Sequence, residues 1–318
     1  MIKNVFLGLL SALFFSLTFI LSRQMNLSGG SFIWTSSLRF FSMFPILLLI
    51  MIYNGKTKNI LKIIGENLFQ WILWSTVGFG IFYLFLSLSS LYGSSWIIAS
   101  MWQITILAGI LLTPLFKKKL PVFKKKLPVR ELRNSCIILI GVGLVGFENA
   151  EDKMNLLKIM IPILIASFAY PLGNRKMMEI CGERLTTLER IFGMTLCSLP
   201  FWFIISIYEY SRNSLPNSAQ IYQSILVAIF SGIIATTLFF KGTENVKNNP
   251  KHLAIVESTQ AGEIIFTLLG EAIFFTHSIP SKVSILGIGI IIFGILFSIV
   301  DRGENSFYNS VIERWKGK

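Results

Sequence analysis

Residues 253–275 read LAIVESTQAGEIIFTLLGEAIFF, a mostly apolar run that is long enough to cross a lipid bilayer. The run contains three glutamates, Glu257, Glu263 and Glu271. An ionised carboxylate in hydrocarbon is unfavourable by about 2.5–3.5 kcal/mol on the mildest insertion scale. Three of them on one candidate span therefore predict a helix that faces a polar cavity or a wet path and not lipid.

The composition of the whole chain places it among membrane proteins. Of its 318 residues, 53% are hydrophobic and 14% are charged, whereas a soluble domain carries about 25% charged residues. In a soluble protein, the net charge of +13 would suggest a nucleic-acid partner. Excess Lys and Arg in the cytoplasmic loops of a membrane protein explain this charge better. We therefore expect a lipid bilayer, and no nucleic acid, as a partner.

Apolar runs separated by polar, Gly or Pro residues predict ten transmembrane segments. Lipid offers no partner to a backbone N–H or C=O group, so these segments must be helices and not strands. The predicted fold class is therefore an all-α integral membrane protein. The predicted helices cover residues 4–22, 32–53, 68–90, 94–115, 134–148, 156–176, 184–208, 219–240, 251–275 and 282–300.

The distribution of basic residues predicts the orientation of these helices. With the N-terminus in the cytoplasm, the loops on that side hold most of the 29 Lys and Arg residues. This bias predicts a multi-pass protein of the cell (cytoplasmic) membrane with both termini cytoplasmic. The densest charge lies in FKKKLPVFKKKLPV at residues 116–129. We interpret this segment as a cytoplasmic anchor, and a binding site for anionic lipid headgroups is the alternative.

The two halves of the chain match each other in order, which predicts an internal repeat. Each half contains five predicted helices, an odd number, so the second half enters the membrane in the opposite orientation. The predicted units are two inverted five-helix repeats, residues 1–150 and 151–303, followed by a cytoplasmic tail, residues 304–318. The matched pairs are Arg39 with Arg190, Gly80 with Gly232, and Gln103 with Gln260.

These features resemble the drug/metabolite transporter superfamily in its ten-helix form. The resemblance rests on Arg39 and Arg190, each near the start of the second helix of its unit, and on a span that ends in Gly270-Glu271. The fifth helix of each unit is rich in glycine, with GVGLVG and GIGIIIFG. The segment VESTQAGEIIFTLLGE is similar to the multidrug resistance efflux transporter branch. The resemblance implies a secondary transporter in which two units alternate around a central cavity.

The three glutamates are the leading candidates for chemistry. A low dielectric disfavours a charged carboxylate, so Glu263 or Glu257 is expected to bind a proton and a cationic substrate in turn, with Gln260 beside them. On a continuous helix all three carboxylates would fall within an arc of about 120°. The structural alternative is a hydrogen bond between helices. Glu271 occupies the Gly-Glu position of the superfamily and is assigned a structural or gating role.

The first unit has Thr113-Pro114 in place of Gly-Glu, so the acidic chemistry is expected in the second unit alone. Snorkelling to the membrane interface is the favoured interpretation of Arg39. Binding of an anionic group or neutralisation of a glutamate is the functional alternative that keeps Arg39 among the candidate site residues. Arg190 has Glu189 as a neighbour, which favours a structural or gating role for this arginine.

Aromatic and amide side chains complete the candidate site. Trp102 and Gln103 lie in the fourth helix, the repeat equivalent of the glutamate helix. Tyr170 precedes Pro171, which is expected to break the sixth helix near the midplane, where such breaks mark substrate sites. An aromatic ring beside a cationic substrate would contribute about 0.5–2 kcal/mol of cation–π attraction.

The sequence lacks the motifs of the common enzyme classes. It has no Walker A, GxSxG, HExxH or dinucleotide-binding pattern, so we expect neither enzymatic activity nor a cofactor. Cys136, Cys181 and Cys197 are isolated, which argues against a metal site or a disulfide framework.

The expected function is secondary active export of a small organic solute, for which a lipophilic cation or drug is the leading candidate, coupled to protons. The alternatives are a metabolite or amino-acid exporter of the same fold and a lipid-handling membrane protein. A monomer and a homodimer both remain open.

Overall fold

The computed structural model describes residues 2–112, 115, 129–148, 153–212, 215–246, 252, 255–256, 259–275 and 280–297. These residues are overwhelmingly helical, and no β-strand occurs among them. In chain order the helices are α1 (Ile2–Leu27), α2 (Phe32–Tyr53), α3 (Thr57–Glu66), α4 (Leu68–Ser89), α5 (Ser95–Leu112), α6 (Val129–Glu148), α7 (Lys153–Cys181), α8 (Thr187–Arg212), α9 (Ser218–Thr243), α10 (Gly262–Phe274) and α11 (Lys282–Phe297).

Seven of the described helices are long and apolar enough to cross a membrane, namely α1, α2, α4, α5, α7, α8 and α9. Shorter apolar helical stretches lie within α6 and α11. The prediction of an all-α membrane protein is confirmed at this level.

Helix α3 lies where the sequence predicted a loop. Its residues Ile60, Ile63 and Ile64 follow the i, i+3, i+4 spacing of a helical stripe and are buried, while Lys58 and Lys62 are exposed. A short amphipathic helix has no continuous apolar run. A search for membrane-length apolar segments therefore passes over it.

The prediction of one continuous helix over residues 251–275 is wrong. Helix α10 begins at Gly262, after a 3₁₀ turn at Thr259–Ala261. The Thr259 hydroxyl donates to the Val256 carbonyl at 2.6 Å, and the Gln260 amide donates to Ser11 Oγ of α1 at 3.1 Å. Such side-chain hydrogen bonds compete with regular helix geometry. The 120° arc expected for three glutamates on a continuous helix therefore does not apply.

The prediction that Pro171 breaks the sixth helix is also wrong, because α7 runs without interruption from Lys153 to Cys181. Pro171 has no N–H to donate to the carbonyl of Ser167, four residues earlier. The Thr105 hydroxyl of α5 donates to that carbonyl instead, at 3.1 Å. The missing helical hydrogen bond is thereby replaced by a contact between two helices.

This contact gives a testable expectation. Thr105→Val leaves the buried Ser167 carbonyl without its donor and should destabilise the protein by about 1–3 kcal/mol. In a Pro171→Ala background the new backbone N–H satisfies that carbonyl, so the same Thr105→Val change should have little effect. Melting temperatures of the four proteins, followed by circular dichroism in detergent, form the double-mutant cycle. Equal losses in both backgrounds would show that the two residues are not coupled.

The helices pack in a pattern that interlocks the two halves of the chain. Helix α1 packs against α9 and α10, and α7 packs against α4 and α5. Helix α2 packs against α8, and α5 packs against α10. Two of the spans contain π-helical stretches, Thr76–Ile81 in α4 and Ala228–Ala235 in α9. Stretches of this kind are frequent at functional sites.

Glycine permits close approach where α6 meets α11. A Cβ atom built on Gly141 would lie 2.6 Å from the carbonyl oxygen of Gly287, and one built on Gly287 would lie 2.9 Å from the carbonyl oxygen of Gly141. No side chain fits between these backbones. The glycine-rich segments of the two halves therefore contact each other directly.

Candidate functional site

A central cavity of about 470 Å³ lies between the packed helices. Its wall includes side chains of both halves of the chain. It collects eight of the residues singled out from the sequence: Arg39, Trp102, Gln103, Tyr170, Pro171, Arg190, Gln260 and Glu263.

Glu263 lies in the first turn of α10 and is only 6% exposed. Its carboxyl group faces the cavity, and no described residue forms a hydrogen bond or an ion pair with it. Tyr170, Arg39 and Arg190 line the same cavity. The cavity therefore contains a buried acid that no described residue neutralises through a hydrogen bond or an ion pair.

Arg39 of α2 is 8% exposed and lines the same cavity. Its guanidinium lies over the Tyr83 ring, 4.1 Å from the ring centroid, and one terminal nitrogen donates to Ser231 Oγ at 3.4 Å. Its Nε atom is buried and has no hydrogen-bond partner in the part of the chain that the structure describes. The side chain is thus held in the cavity wall, whereas snorkelling would place the guanidinium at the membrane interface.

Three aromatic rings form a cluster on one wall of the cavity. The ring centroids of Phe82 and Trp102 are 5.3 Å apart, those of Phe82 and Tyr170 are 4.8 Å apart, and those of Trp102 and Tyr170 are 5.7 Å apart. We call these residues the aromatic cluster. Sequence reasoning identified Trp102 and Tyr170 but not Phe82, which is one of 28 phenylalanines without a distinguishing neighbour.

The two repeat-matched glutamines both lie at irregular points of their helices. Gln103 separates the helical segments Ser95–Trp102 and Ile104–Leu112, and its amide donates to the Ala99 carbonyl at 3.2 Å. Gln260 lies in the 3₁₀ turn before α10. Both side chains line the cavity. The irregular backbone of each half is therefore placed at the site.

Arg175 is a cavity residue that the sequence analysis did not single out. It lies within α7, and its guanidinium donates to the Gly109 carbonyl of α5 at 2.7 Å. A signal was available in the sequence, because Arg23 and Arg175 have the same spacing as the repeat-matched pair Gly80 and Gly232. Arg23 also binds backbone, donating to the carbonyls of Ser90 and Leu91, both at 3.1 Å.

Arg190 lines the cavity from α8, whereas its neighbour Glu189 does not line the cavity and forms hydrogen bonds at the start of the helix. The Glu189 carboxylate accepts a hydrogen bond from the Thr186 backbone N–H at 2.7 Å, and the Thr186 hydroxyl accepts from the Glu189 N–H at 3.4 Å. This reciprocal pair is a capping box at the start of α8. Glu189 therefore stabilises the end of the helix.

Glu271 lies outside the cavity, although it is 2% exposed. Its carboxylate accepts a hydrogen bond from the Ser95 backbone N–H at 2.9 Å, at the start of α5. A negative charge at a helix N-terminus is favourable because it interacts with the helix dipole. Glu271 and Glu263 thus occupy different environments on one short helix.

A polar cluster joins α1, α4, α5 and α10 at the end of the bundle near Glu271. It comprises Arg23, Asn26, Ser90, Ser95 and Glu271, and we call it the end cluster. Asn26 donates its amide to Ser90 Oγ, in addition to the contacts of Arg23 and Glu271. None of its members lines the cavity, whose wall extends instead towards the C-terminal ends of α5, α7 and α9. The end cluster therefore lies outside the cavity wall.

Two of the predicted features cannot be placed. Glu257 and most of the lysine-rich segment, residues 116–128, lie outside the described residues. Their assigned roles stay predictions.

Seven membrane-length helices around a buried, partly charged cavity define a multi-pass membrane protein. The model of the family described as "Putative multidrug resistance efflux transporter" (EmrE) matches residues 2–303, and the chain belongs to this family. The family consists of membrane transporters and not enzymes. The resemblance stated from the sequence is thereby confirmed.

Two relatives are similar over most of their length. "Uncharacterized protein YjlA" of Bacillus subtilis (strain 168) is 48% identical over 302 residues, which are 92% of this chain and 93% of that protein. "Uncharacterized 42.1 kDa protein in intracellular alkaline protease 3'region" of Shouchella clausii is 39% identical over 277 residues, 86% of this chain and 73% of that protein. A solved crystal structure with 12% identity superposes with a TM-score of 0.64 over 94% of this chain and 96% of its own, which shows a shared fold.

Proposed function

We propose that the protein is a secondary active transporter that exports a small organic solute by alternating access, with proton exchange at Glu263 as the coupling step. The observation that carries this proposal is the buried Glu263 carboxyl group. It faces a central cavity and has no hydrogen-bond or ion-pair partner among the described residues. An intramembrane acid in such a position is a functional group by default.

The chemistry of this site suits antiport. Burial disfavours the charged carboxylate, so the group is stable either as a protonated acid or as an anion paired with a cationic group. These two states exclude each other. A solute that presents a cation therefore displaces the proton, and the proton displaces the solute, which is the competition that proton-coupled export requires.

The architecture that we propose is ten transmembrane helices in two inverted five-helix units, residues 1–150 and 151–303. The packing of the described helices supports it, because α1 contacts α9 and α10 as α7 contacts α4 and α5. The π-helical stretches begin at Thr76 and Ala228, with the same spacing as Gly80 and Gly232. In inverted repeats the substrate site lies between the units, and lining of the cavity by residues from both halves of the chain supports this arrangement.

We place the protein in the cytoplasmic membrane with both termini in the cytoplasm, on the basis of the loop charge. The tail, residues 304–318, lies outside the described residues. Two complete units supply both walls of one cavity, so a monomer is sufficient for transport. A homodimer remains compatible with the same mechanism.

Reconstitution tests the proposal. Purified protein in liposomes, with a pH gradient imposed across the membrane, should move a transported solute faster than without the gradient. Solute added to the purified protein should also release protons, which a pH-sensitive dye in weak buffer detects. Transport that ignores the pH gradient, together with unchanged rates after Glu263→Gln and Glu257→Gln, would rule out proton coupling at these acids.

A further inference from the structure

Two groups of opposite charge line the cavity without a charged partner among the described residues. Within that part of the chain the Nε atom of Arg39 has no hydrogen-bond partner, one terminal nitrogen donates to Ser231 at 3.4 Å, and the guanidinium otherwise lies over the Tyr83 ring. Glu263 has no partner among the described residues, and it forms no ion pair with Arg39. Arg175, by contrast, is held by the Gly109 carbonyl.

A buried charge without a partner is unfavourable. Arginine stays protonated in proteins, so Arg39 cannot remove its own charge. Glu263 can become neutral by binding a proton, but Arg39 needs an anion. A solute with one cationic group alone would therefore leave Arg39 unpaired. It would also be repelled by Arg175 and Arg190, which line the same cavity.

The space next to these two groups is aromatic. The aromatic cluster of Phe82, Trp102 and Tyr170 lies on the cavity wall, and Phe82 contacts Tyr83, the ring that lies under Arg39. The cavity volume of about 470 Å³ lies within the range of typical small-molecule sites. A planar ring that stacks on the cluster would share this cavity with both charges.

We infer that the preferred solute is an aromatic zwitterion whose anionic group pairs with Arg39, whose cationic group pairs with Glu263 and whose ring packs on the aromatic cluster. This inference rests on the proposed function and names the substrate class of the same site. One solute of this kind supplies both missing partners. It also preserves the competition between proton and cation at Glu263.

The assignment has a specific pH signature. The described charged and titratable groups that line the cavity are Arg39, Arg175, Arg190, Tyr170 and Glu263. Glu263 is the one carboxyl group among them, and a carboxyl group loses its negative charge when it binds a proton. Acidification should therefore weaken the binding of solutes that carry a cationic group. Solutes with an anionic group alone should not be weakened, because Arg39 keeps its charge.

Four probes of similar size separate the two halves of the site. The zwitterions are 3-(aminomethyl)benzoate and 4-(aminomethyl)benzoate, which differ in the distance between their charges. The half-probes are 4-methylbenzoate, with the anion alone, and 4-methylbenzylamine, with the cation alone. Calorimetric titration of the full-length protein in detergent should show at least one zwitterion binding about tenfold more tightly than either half-probe.

Two variants assign each charge to its residue. Arg39→Gln should weaken the zwitterions and 4-methylbenzoate by about tenfold and leave 4-methylbenzylamine unchanged. Glu263→Gln should weaken the zwitterions and 4-methylbenzylamine and leave 4-methylbenzoate unchanged. If either variant fails to fold, Arg39→Lys and Glu263→Asp keep the charge and should keep the selectivity. A half-probe that binds as tightly as both zwitterions, or zwitterion binding that ignores Arg39→Gln, overturns the inference.

The inference and the proposed function fail in different ways. Proton-driven transport of 4-methylbenzylamine that requires Glu263 and ignores Arg39 would retain the transporter and reject the zwitterion. A pH gradient without effect on the transport of any probe that binds would reject the coupling step itself. The crossed pattern in the two variants would still assign the binding site in that case.

Discussion

In proteoliposomes, Glu263→Gln should reduce solute accumulation driven by a pH gradient to the level of liposomes without protein. The amide is nearly isosteric with the carboxyl group but carries no exchangeable carboxyl proton, so the proton no longer competes with the solute. Exchange of labelled for unlabelled solute should persist at saturating solute, because the cavity and the aromatic cluster are unchanged. The measurement compares gradient-driven accumulation with equilibrium exchange in the same vesicles.

The chain offers a matched control on the same helix. Glu271 is as deeply buried as Glu263, but its carboxylate accepts a hydrogen bond from the Ser95 N–H and lies outside the cavity. Glu271→Gln should keep gradient-driven accumulation and destabilise the protein by about 0.5–2 kcal/mol, because a charged helix cap becomes neutral. If Glu271→Gln abolishes coupling and Glu263→Gln does not, the two assigned roles are reversed.

The same assay separates Glu263 from Glu257, to which the sequence assigned the same role. Glu257→Gln should leave gradient-driven accumulation intact if Glu263 alone exchanges the proton. Loss of coupling in both single variants would mean that the two carboxylates act together. Loss in Glu257→Gln alone would assign the coupling step to Glu257.

Much of the fold and of the site follows from the sequence because the bilayer restricts the alternatives. Lipid imposes helices of a minimum length, which is why α2 lies at the predicted residues 32–53. Polar side chains are costly in such helices. Arg39, Gln103 and Glu263 were therefore conspicuous in the sequence, and all three line one cavity. The same physical restriction thus identifies both the helices and the residues that face inwards.

The features that the sequence did not predict depend on contacts between helices. The continuity of α7 through Pro171 requires the Thr105 hydroxyl from another helix. The start of α10 at Gly262 is accompanied by hydrogen bonds from Thr259 and Gln260, the second of which reaches α1. Local propensity contains no information about a partner that is distant in the chain. Local propensity therefore predicts a break at Pro171, where the helix is continuous, and predicts no break at Gln260, where the 3₁₀ turn lies.

Alternating access predicts a second large effect, at the end cluster. Asn26 of α1 and Ser90, at the end of α4, are hydrogen-bonded in the end cluster, outside the cavity wall. A disulfide between cysteines introduced at these two positions should hold this end closed and reduce transport to the level of liposomes without protein. Reduction should restore transport, because the bond constrains motion and removes no site residue. The experiment requires a background without the native thiols, with Cys136→Ser, Cys181→Ala and Cys197→Ala.

The repeat supplies the control and the contradicting outcome. By the spacing that relates Gly80 to Gly232, the second-half equivalents of Asn26 and Ser90 are Met178 and Gly242. These two residues are not close neighbours, because the atoms nearest to a Cβ built on Gly242 belong to Asn4, Leu7 and Val256. Cysteines at 178 and 242 should therefore cross-link slowly in this state and faster once the opposite end opens. Single-cysteine variants should keep full transport under oxidation. The contradicting outcome is full transport by the variant with an oxidised cross-link between positions 26 and 90, verified by mass spectrometry. In that case the solute does not pass the end cluster, and a rocking motion of the two halves is not the mechanism.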